Sequence, residues 1–508
     1  MSTATSPLFL GLDSGTQSAK AGIWDERGAC LARASRPLSV RTPHEGWAEQ
    51  DPAEWWSSAA GAIAEAVSQV DASRVAAMAV SFQRESFALV GDDGSAVRPA
   101  LLWLDIRAAA EVEEAARRVG AVEYQRRTGK PLDVTSVLPR MLWLARYEPQ
   151  VLARAARWTD VGAYLMERLT GTPATVTAGV DTTGLVDVDT RWWAPGHLAS
   201  CGLDGLRMPG LFEPGSLVGT LTREAARATG LAAGLPVIAG GGDGQCAAVG
   251  LAAGVGTGFT LALGTSVVLG VPCESRAVSP RYRTLMAARP DRQFLLESVI
   301  QSGTYIVRWF EEAFPGADSD AAAAEVPRGS QGLVTVPHWW GVRFPESLPD
   351  ARGATMGWSH RHTRAHFLRS ILEGVGFELR GLADDFHSAM DVAARVAACG
   401  GGTKSRTWLQ ILADIMACPI DLPVEPEPAA LGAATLAAVG SGAFHGLDAA
   451  AAAMVKRGET VAPDATGAAV YDEVYRGSYL PLREAVLRLQ RQPRGQPQGQ
   501  PQGQPPAS

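Results

Sequence analysis

The chain has 508 residues, of which 46% are hydrophobic and 19% are charged, and its formal net charge at pH 7 is −7. This length exceeds what one hydrophobic core supports and is sufficient for two large domains of a well-packed globular protein. The acidic balance argues against a nucleic-acid partner, and without a run of about 18 apolar residues or a secretory signal we expect a cytoplasmic protein with no membrane anchor.

Two residue types that often bind metals show no metal-binding pattern. The cysteines are scattered without a C-x-x-C motif, so we expect reduced and mostly buried thiols; they are Cys30, Cys201, Cys246, Cys273, Cys399 and Cys418. Ligand spacing is also absent from several histidines, to which we assign no chemistry: His338, His360, His362 and His387.

The chain begins with a predicted β-hairpin. Strands are expected at residues 8–12 and 19–24, with a turn at 13–18. The turn offers backbone N–H groups and hydroxyls that can surround phosphate oxygens, although hairpins also use such residues for turn geometry alone. The candidates for phosphate binding are Asp13, Ser14, Gly15, Thr16 and, on the returning strand, Lys20.

Two polar sets follow in the first half. After a helix at 52–67, strands at 76–82 and 87–90 enclose a segment whose donors and acceptors would suit a polyol, though adjacent opposite charges are also typical of a solvated surface. In the second set an indole could stack on a carbon skeleton, or could be a buried core residue beside an ion pair. The sets are Gln83, Arg84 and Glu85, and Trp103, Asp105 and Arg107.

The most informative segment is Gly-Gly-Gly-Asp-Gly-Gln at residues 240–245. It follows the apolar strand predicted at 235–239, and a strand that ends in a glycine turn lets a substrate approach the backbone. Asp243 is then the functional group at the strand tip. The segment therefore predicts a general base for an alcohol in a cleft.

The second half repeats the opening hairpin. Strands are predicted at 258–263 and 267–271, joined by a turn of Gly264, Thr265 and Ser266. Two matching glycine-hydroxyl turns can face each other across a cleft, which favours phosphate binding over turn geometry alone. The repeat and the alternation of strands and helices in each half predict α/β sheets.

A second glycine-rich segment lies between a strand at 395–399 and a helix at 403–416. Glycines there let a flat ligand lie on the backbone and leave helix N–H groups open to a phosphate, but a tight strand–helix turn has the same composition. The P-loop spacing is absent. The candidate residues are Gly400, Gly401, Gly402, Thr403 and Ser405.

Taken in order, these motifs resemble those of the FGGY carbohydrate kinases, a branch of the sugar kinase/Hsp70/actin superfamily. The resemblance extends from about Leu8 to about Arg491. The two phosphate motifs are similar to residues 11–16 and 264–266, and the catalytic aspartate corresponds to Asp243. The adenosine motif is similar to residues 400–405 and the later segment 430–434.

The resemblance implies an α/β fold of two ribonuclease H-like domains around a central cleft. Residues 1–254 would bind the sugar and carry the base, 255–490 would bind the nucleotide, and the Gly-Gln-Pro tail at 491–508 is expected to be disordered. It also implies phosphoryl transfer from ATP to a small sugar or polyol, with Mg²⁺ held through water by Asp13 and Asp243. A homodimer is one assembly that we consider.

The acceptor stays open at this stage. Gln83-Arg84-Glu85 resembles glycerol kinases, whereas the segment from Trp103 to Arg107 resembles xylulose kinases. Gln245, a further candidate for substrate binding, stands one residue later than in glycerol kinases. We expect a ketopentose of the xylulose or ribulose type, with glycerol or another polyol as the alternative. An actin- or Hsp70-like ATPase or a non-catalytic sugar-binding regulator shares the scaffold and is the alternative from another class.

Overall fold

The computed structural model describes residues 6–491 except 201–203, 255–256, 292, 317, 344–345, 347 and 349. The strands of the first half are β1 Leu8–Ser14, β2 Ser18–Asp25, β3 Cys30–Pro37, β4 Glu49–Gln50, β5 Val75–Phe82, β6 Phe87–Val90, β7 Ala100–Leu101, β8 Arg157–Asp160, β9 Ala174–Val176, β10 Val186–Asp187, β11 Trp192–Trp193, β12 Gly210–Phe212, β13 Leu217–Thr220 and β14 Pro236–Gly242. Those of the second half are β15 Phe259–Leu263, β16 Val267–Cys273, β17 Arg283–Met286, β18 Phe294–Ile300, β19 Val334–Val336, β20 Ala354–Met356, β21 Val396–Cys399, β22 Ile420–Pro423 and β23 Arg457–Val461.

Helices connect and cover these strands. In the first half they are α1 Pro52–Val67, α2 Glu111–Val119, α3 Ala121–Thr128, α4 Val137–Tyr147, α5 Pro149–Arg154, α6 Val161–Thr170, α7 Thr177–Val180, α8 Pro195–Ser200, α9 Arg223–Thr229 and α10 Asp243–Gly250. In the second half they are α11 Thr304–Ala313, α12 Ser319–Ala324, α13 Arg364–Ala389, α14 Arg406–Met416, α15 Pro428–Gly440, α16 Leu447–Met454, α17 Ala465–Val474 and α18 Leu480–Gln490.

The main sheets of the two halves share the topology of six strands, and the second sheet has β17 as an additional edge strand. In the first half the strand order is β13-β14-β5-β1-β2-β3, with β1, β2 and β3 antiparallel and β5 parallel to both β1 and β14. In the second the order is β17-β18-β16-β15-β21-β22-β23, with β15, β16 and β18 antiparallel and β21 parallel to both β15 and β22. The predicted repeat and the α/β class are therefore confirmed.

Alternation along β1 determines which residues meet the core and which face the site. Leu8, Leu10 and Leu12 belong to the hydrophobic cluster that contains residues of α1 and α6. On the opposite face, Phe9 packs in a cluster with alanines of α15. Since side chains two residues apart share a face of a strand, Asp13 lies on the α15 side of the sheet.

A helix from the second half packs against the sheet of the first. Helix α15 contacts α10, β1, β5 and β14. Glycines permit this contact, because a Cβ atom at Gly11, Gly250 or Gly432 would lie 1.9 Å from a backbone carbonyl oxygen of Ala430, Pro428 or Cys246, respectively. The helix that begins at Asp243 is thereby held against a helix of the other half.

Two elements differ from the sequence-based expectation. The glycines at 240–242 are part of β14 rather than a turn, and Asp243 is the first residue of α10. The cause is close packing, since a Cβ atom at Gly240 would lie 2.1 Å from the carbonyl oxygen of Val80. The pattern of residues 108–128 predicts one helix, but the structure has two, α2 and α3, divided at Gly120, whose φ is 73°.

Some expectations fall outside the described residues. These are the tail beyond Arg491, Cys201, and the two residues that follow the predicted domain boundary at 254. The boundary itself stays a prediction. Among the described residues, no helix has the length and apolar character needed to cross a membrane.

Candidate functional site

The site lies where three neighbouring parallel strands of the first sheet end. Strand β5 is flanked by β1 and β14, and Ser81 on β5 is in register with both Asp13 and Gly241. Arg84 follows β5 and Asp243 follows β14. Residues that are far apart in sequence thus meet at one edge of the sheet, as is typical of ligand sites in α/β proteins.

Asp243 presents one anchored and one free carboxylate oxygen. Its Oδ1 accepts a hydrogen bond from the N–H of Gly244 at 2.8 Å and lies 2.9 Å from Nε of Arg84. Oδ2 has no partner among the described residues, and 42% of the side chain is exposed. This arrangement leaves Oδ2 available to accept a proton from a bound hydroxyl.

Asp13 is a second carboxylate beside Asp243. Its Oδ1 accepts a hydrogen bond from the hydroxyl of Ser81 at 2.7 Å. Burial and then the charge of Asp243 raise the pKa of Asp13 to about 6. Two neighbouring carboxylates are costly without a cation, so the pair is a suitable place for one.

The two carboxylates fit Mg²⁺ better than they fit a metal ion whose ligands all come from the protein. No group of three or more histidine, cysteine, aspartate or glutamate side chains that could hold a metal occurs in the described part of the chain. Mg²⁺ usually keeps several waters and takes one or two carboxylates together with substrate phosphates. Asp13 and Asp243 would provide that protein share.

The first glycine-hydroxyl turn is held by residues predicted to bind substrate. Thr16 donates to Oε1 of Gln83 at 3.3 Å and accepts a hydrogen bond from Nε1 of Trp103 at 2.9 Å. Gln83 is buried and its Nε2 donates to the carbonyl of Gly15 at 3.2 Å. Gln83 is therefore a support of the turn, whereas the ring of Trp103 is half-buried and borders the site.

Lys20 is turned toward the second half. Its Nζ lies 2.7 Å from Oε2 and 2.9 Å from Oε1 of Glu427, the residue that precedes α15. Both side chains are 36% exposed. Lys20 thus joins the first phosphate turn to the second half, and its charge lowers the pKa of Asp13, against the larger effect of burial.

The second glycine-hydroxyl turn is fixed by the start of α11. The carbonyl of Gly264 accepts a hydrogen bond from the N–H of Thr304 at 2.8 Å, and that of Thr265 accepts one from Gly303 at 3.1 Å. The Thr265 residue is exposed and Ser266 is half-buried. The carbonyls are occupied and the Thr265 side chain remains accessible to a ligand.

The glycine segment after β21 forms a 3₁₀ turn at Gly401–Lys404. Gly400 has φ of 96°, and a Cβ atom there would lie 2.7 Å from the carbonyl oxygen of Leu263. At Gly401, by contrast, a Cβ atom would meet nothing within 4 Å. This exposed glycine leaves room for a flat ligand on the backbone.

Two hydroxyls of this segment have local partners. Thr403 donates to the carbonyl of Gly400 at 2.7 Å. Ser405 is the N-cap of α14, accepting a hydrogen bond from the N–H of Trp408 at 2.9 Å, and it donates to Asp320. Gly402 is buried, and a Cβ atom there would lie 2.8 Å from Cβ of Leu263. These contacts shape the segment, and their role toward a nucleotide stays a prediction.

Glu85 is withdrawn into a buried ion cluster. Its Oε1 lies 2.5 Å from Nζ of Lys130 and 2.9 Å from Nη1 of Arg283 on β17. Burial opposes the charge of Glu85, yet these cations outweigh it and lower its pKa to about 2. The residue has φ of 65°, which turns its side chain away from the direction that Arg84 takes.

Asp105 also has its carboxylate engaged. It is fully buried, Nη2 of Arg107 lies 2.7 Å from its Oδ2, and the N–H of Ala48 donates to the same oxygen at 2.7 Å. The guanidinium of Arg107 stacks on the ring of Trp47 at 3.7 Å. These contacts fix the loop that carries Trp103.

Arg84 joins both halves of the protein. Besides Asp243, its guanidinium contacts Oε2 of Glu297 on β18 at 3.0 Å and Oε1 of Gln245 at 3.2 Å. Burial opposes its charge, but the carboxylates of Glu297 and Asp243 raise the pKa of Arg84 further above its ordinary value. Sequence analysis missed Lys130, Arg283 and Glu297, for which no local motif gives a signal.

Comparison with known proteins identifies the family of the chain. The model of the N-terminal domain of the FGGY family of carbohydrate kinases matches residues 8–250, and that of the C-terminal domain matches residues 260–441. The chain belongs to the FGGY family of carbohydrate kinases. It is therefore a phosphotransferase that acts on a carbohydrate, and the predicted family, enzyme class and actin/Hsp70-like two-domain fold are confirmed.

Three relatives show the extent of the similarity. The chain is 31% identical to the xylulose kinase of Escherichia coli (strain K12) over 438 residues, which cover 85% of this chain and 90% of that protein. It is 29% identical to the xylulose kinase of Bacillus subtilis (strain 168) over 483 residues, covering 92% and 95%. The crystal structure of the xylulose kinase from Rhodospirillum rubrum is similar with a TM-score of 0.87 at 29% identity, covering 95% of this chain and 99% of that one.

Proposed function

We propose that this FGGY kinase transfers the γ-phosphoryl group of ATP to a hydroxyl of a ketopentose of the xylulose or ribulose type. The observation that carries the proposal is the free Oδ2 of Asp243, on a carboxylate whose other oxygen is fixed by Gly244 and Arg84. Such a group is suited to accept the proton of an attacking hydroxyl. The named activity of the similar xylulose kinases supports the choice of acceptor.

The residues around Asp243 have distinct tasks in this mechanism. Oδ2 of Asp243 accepts the hydroxyl proton, while Arg84 keeps Oδ1 in place. The turns at Thr16 and Thr265 bind phosphate oxygens from the two halves, and the open surface at Gly401 accepts the adenosine. Mg²⁺, held through water by Asp13 and Asp243, would neutralise charge on the phosphates of the donor.

The preference for a ketopentose rests on the side chains that remain available to a sugar. Arg84 and Trp103 border the site. The carboxylates of Glu85 and Asp105, by contrast, are paired with the neighbouring cations Lys130 and Arg107. The Glu85 carboxylate is paired with Lys130 and is therefore not free to accept a hydrogen bond from a hydroxyl of glycerol. Glycerol or another polyol is the second candidate because Gln83-Arg84-Glu85 is similar to the polyol-binding segment of glycerol kinases.

A screen of acceptors tests the proposal. ADP release in a coupled assay would be measured with xylulose, ribulose, ketohexoses, tetritols and glycerol, each with and without Mg²⁺. The proposal expects the highest kcat/KM for a ketopentose, a low value for glycerol, and loss of activity on chelation. The highest kcat/KM for glycerol would favour the polyol kinase, and ADP release that no acceptor increases would favour an ATPase.

A further inference from the structure

Asp181 is connected to Asp243 through two other side chains, those of Gln245 and Arg84. It begins the 3₁₀ turn Asp181–Thr183 and is fully buried. Its Oδ1 accepts hydrogen bonds from the backbone N–H groups of Gly179 and Thr182, both at 2.9 Å. Its Oδ2 accepts one at 2.6 Å from the N–H of Met286, the last residue of β17. A carboxylate of the first half thus holds a strand of the second half.

Polar contacts run from Asp181 to Asp243. Nε2 of Gln245 donates to Oδ1 of Asp181 at 3.3 Å, and Oε1 of Gln245 accepts from Nη1 of Arg84 at 3.2 Å. Nε of Arg84 then lies 2.9 Å from Oδ1 of Asp243. Because a carboxylate accepts and a guanidinium donates, only one orientation of the buried Gln245 amide satisfies both neighbours.

The same contacts reach one hairpin of the second half at two points. Asp181 binds the backbone of β17, and Arg84 binds Glu297 on β18, the antiparallel partner of β17. Arg283 on β17 also lies 2.7 Å from Oε1 of Glu297. The orientation of Arg84 is therefore determined from both sides of the cleft.

We propose that Asp181 is a positioning residue of phosphoryl transfer: through Gln245 it orients Arg84, and Arg84 holds Asp243 at the angle that leaves Oδ2 free. The inference rests on the proposed function, since it concerns the position of the proposed base. A small displacement of a catalytic group costs rate, up to about 100-fold for 1 Å. The relay formed by Asp181, Gln245, Arg84 and Asp243 has no contact with the glycine segment at 400–405. We therefore expect binding of ATP to be unaffected by substitutions in the relay.

The first test replaces Asp181 by asparagine. The amide of Asp181→Asn presents one acceptor and one donor where the native carboxylate accepts at both ends, so it cannot satisfy Met286 and Gln245 together. We expect kcat to fall about 10- to 100-fold, with KM for ATP within about twofold. Asp160→Asn is the matched control, because Asp160 is equally buried and accepts from the N–H of Ala163 and the hydroxyl of Thr175, away from the relay.

The second test interrupts the relay at its centre. Gln245→Met leaves the backbone contacts of Asp181 in place, so it remains informative if Asp181→Asn does not fold. We expect Gln245→Met alone to lower kcat about 10- to 100-fold. The double variant Asp181→Asn/Gln245→Met should lose no more kcat than the larger single loss, because residues that act through one chain are not additive. Unchanged kcat in Gln245→Met, or losses that multiply in the double variant, would overturn the relay. The acceptor is the one that the wild type phosphorylates fastest; a wild type with no acceptor-dependent ADP release would overturn both the relay and the proposed function.

Discussion

Arg84 and Asp243 form an ion pair in which Nε of Arg84 lies 2.9 Å from Oδ1 of Asp243. The pair uses one carboxylate oxygen and leaves the other without a partner among the described residues. Since Arg84 also contacts Glu297, the orientation of Asp243 depends on the contact between the two halves. Contact between the two halves and the position of the proposed base are therefore linked through one guanidinium.

Substitution of Arg84 tests this link. Arg84→Ala is expected to lower kcat and to raise KM for the sugar by about 10- to 100-fold, because Asp243 loses its anchor and a buried polar partner is removed. KM for ATP should stay within about twofold. Arg36→Ala, which removes an exposed pair with Glu65 on the same half, is the control and should leave kinetics unchanged. An altered KM for ATP with an unaltered KM for the sugar would show that Arg84 serves the nucleotide.

Adjacent glycines distinguish a structural from a ligand-binding requirement. Gly400→Ala should lower the free energy of unfolding by about 1–3 kcal/mol, because φ is 96° and a Cβ atom would lie 2.7 Å from the carbonyl oxygen of Leu263. Gly401→Ala should leave stability unchanged, since a Cβ atom there meets nothing within 4 Å, and should raise KM for ATP. Denaturant unfolding and steady-state kinetics measure the two effects. An unchanged KM for ATP in Gly401→Ala would place the nucleotide elsewhere.

The pH dependence of stability can be assigned to a particular buried carboxyl group. Burial raises the pKa of Asp160 to about 6 in the folded protein, against an ordinary value of 3.8. The folded state therefore binds the proton more tightly, and this contribution to stability is complete below about pH 4 and is lost as pH rises through 6. Asp160→Asn removes it, so the stability of the variant relative to wild type should increase by about 1 kcal/mol from pH 5 to pH 7.5.

Urea unfolding at the two pH values measures this difference. Contributions from the other titrating groups are common to wild type and variant and cancel in the comparison. A relative stability that is the same at pH 5 and pH 7.5, or that decreases, would show that burial does not raise the pKa of Asp160 in the folded protein.

Much of the fold could be predicted from the sequence because its signals are local. Strand patterns next to glycine-hydroxyl turns predicted both hairpins, and the repeat of that pattern predicted two similar halves. The resemblance to the FGGY kinases implied that Asp13 and Asp243 share one Mg²⁺, and the structure brings their strand ends together in a parallel sheet that no local sequence signal predicted. The predicted end of β14 was wrong because Gly240, Gly241 and Gly242 continue the strand, with Gly240 packed against Val80, rather than forming a turn.

The environment of the substrate candidates could not be predicted in the same way. Glu85 and Arg84 are adjacent, but the φ of 65° at Glu85 sends their side chains to different partners. Those partners are distant in sequence, as Arg283 is 198 residues from Glu85 and Glu297 is 213 residues from Arg84. Composition around Lys130 gives no sign that its ammonium group is fully buried. Only the tertiary arrangement decides which charges face a ligand.

The most direct test of the account is the activity of Asp243→Asn. Asparagine retains the shape of the side chain and an oxygen that can accept from Gly244 and Arg84, but it cannot take up the proton of the acceptor hydroxyl. We predict that kcat falls about 10²- to 10⁴-fold while the Kd for ADP, measured by calorimetry, changes by less than about threefold. Retention of more than about a tenth of the wild-type kcat would contradict the assignment of Asp243 as the general base.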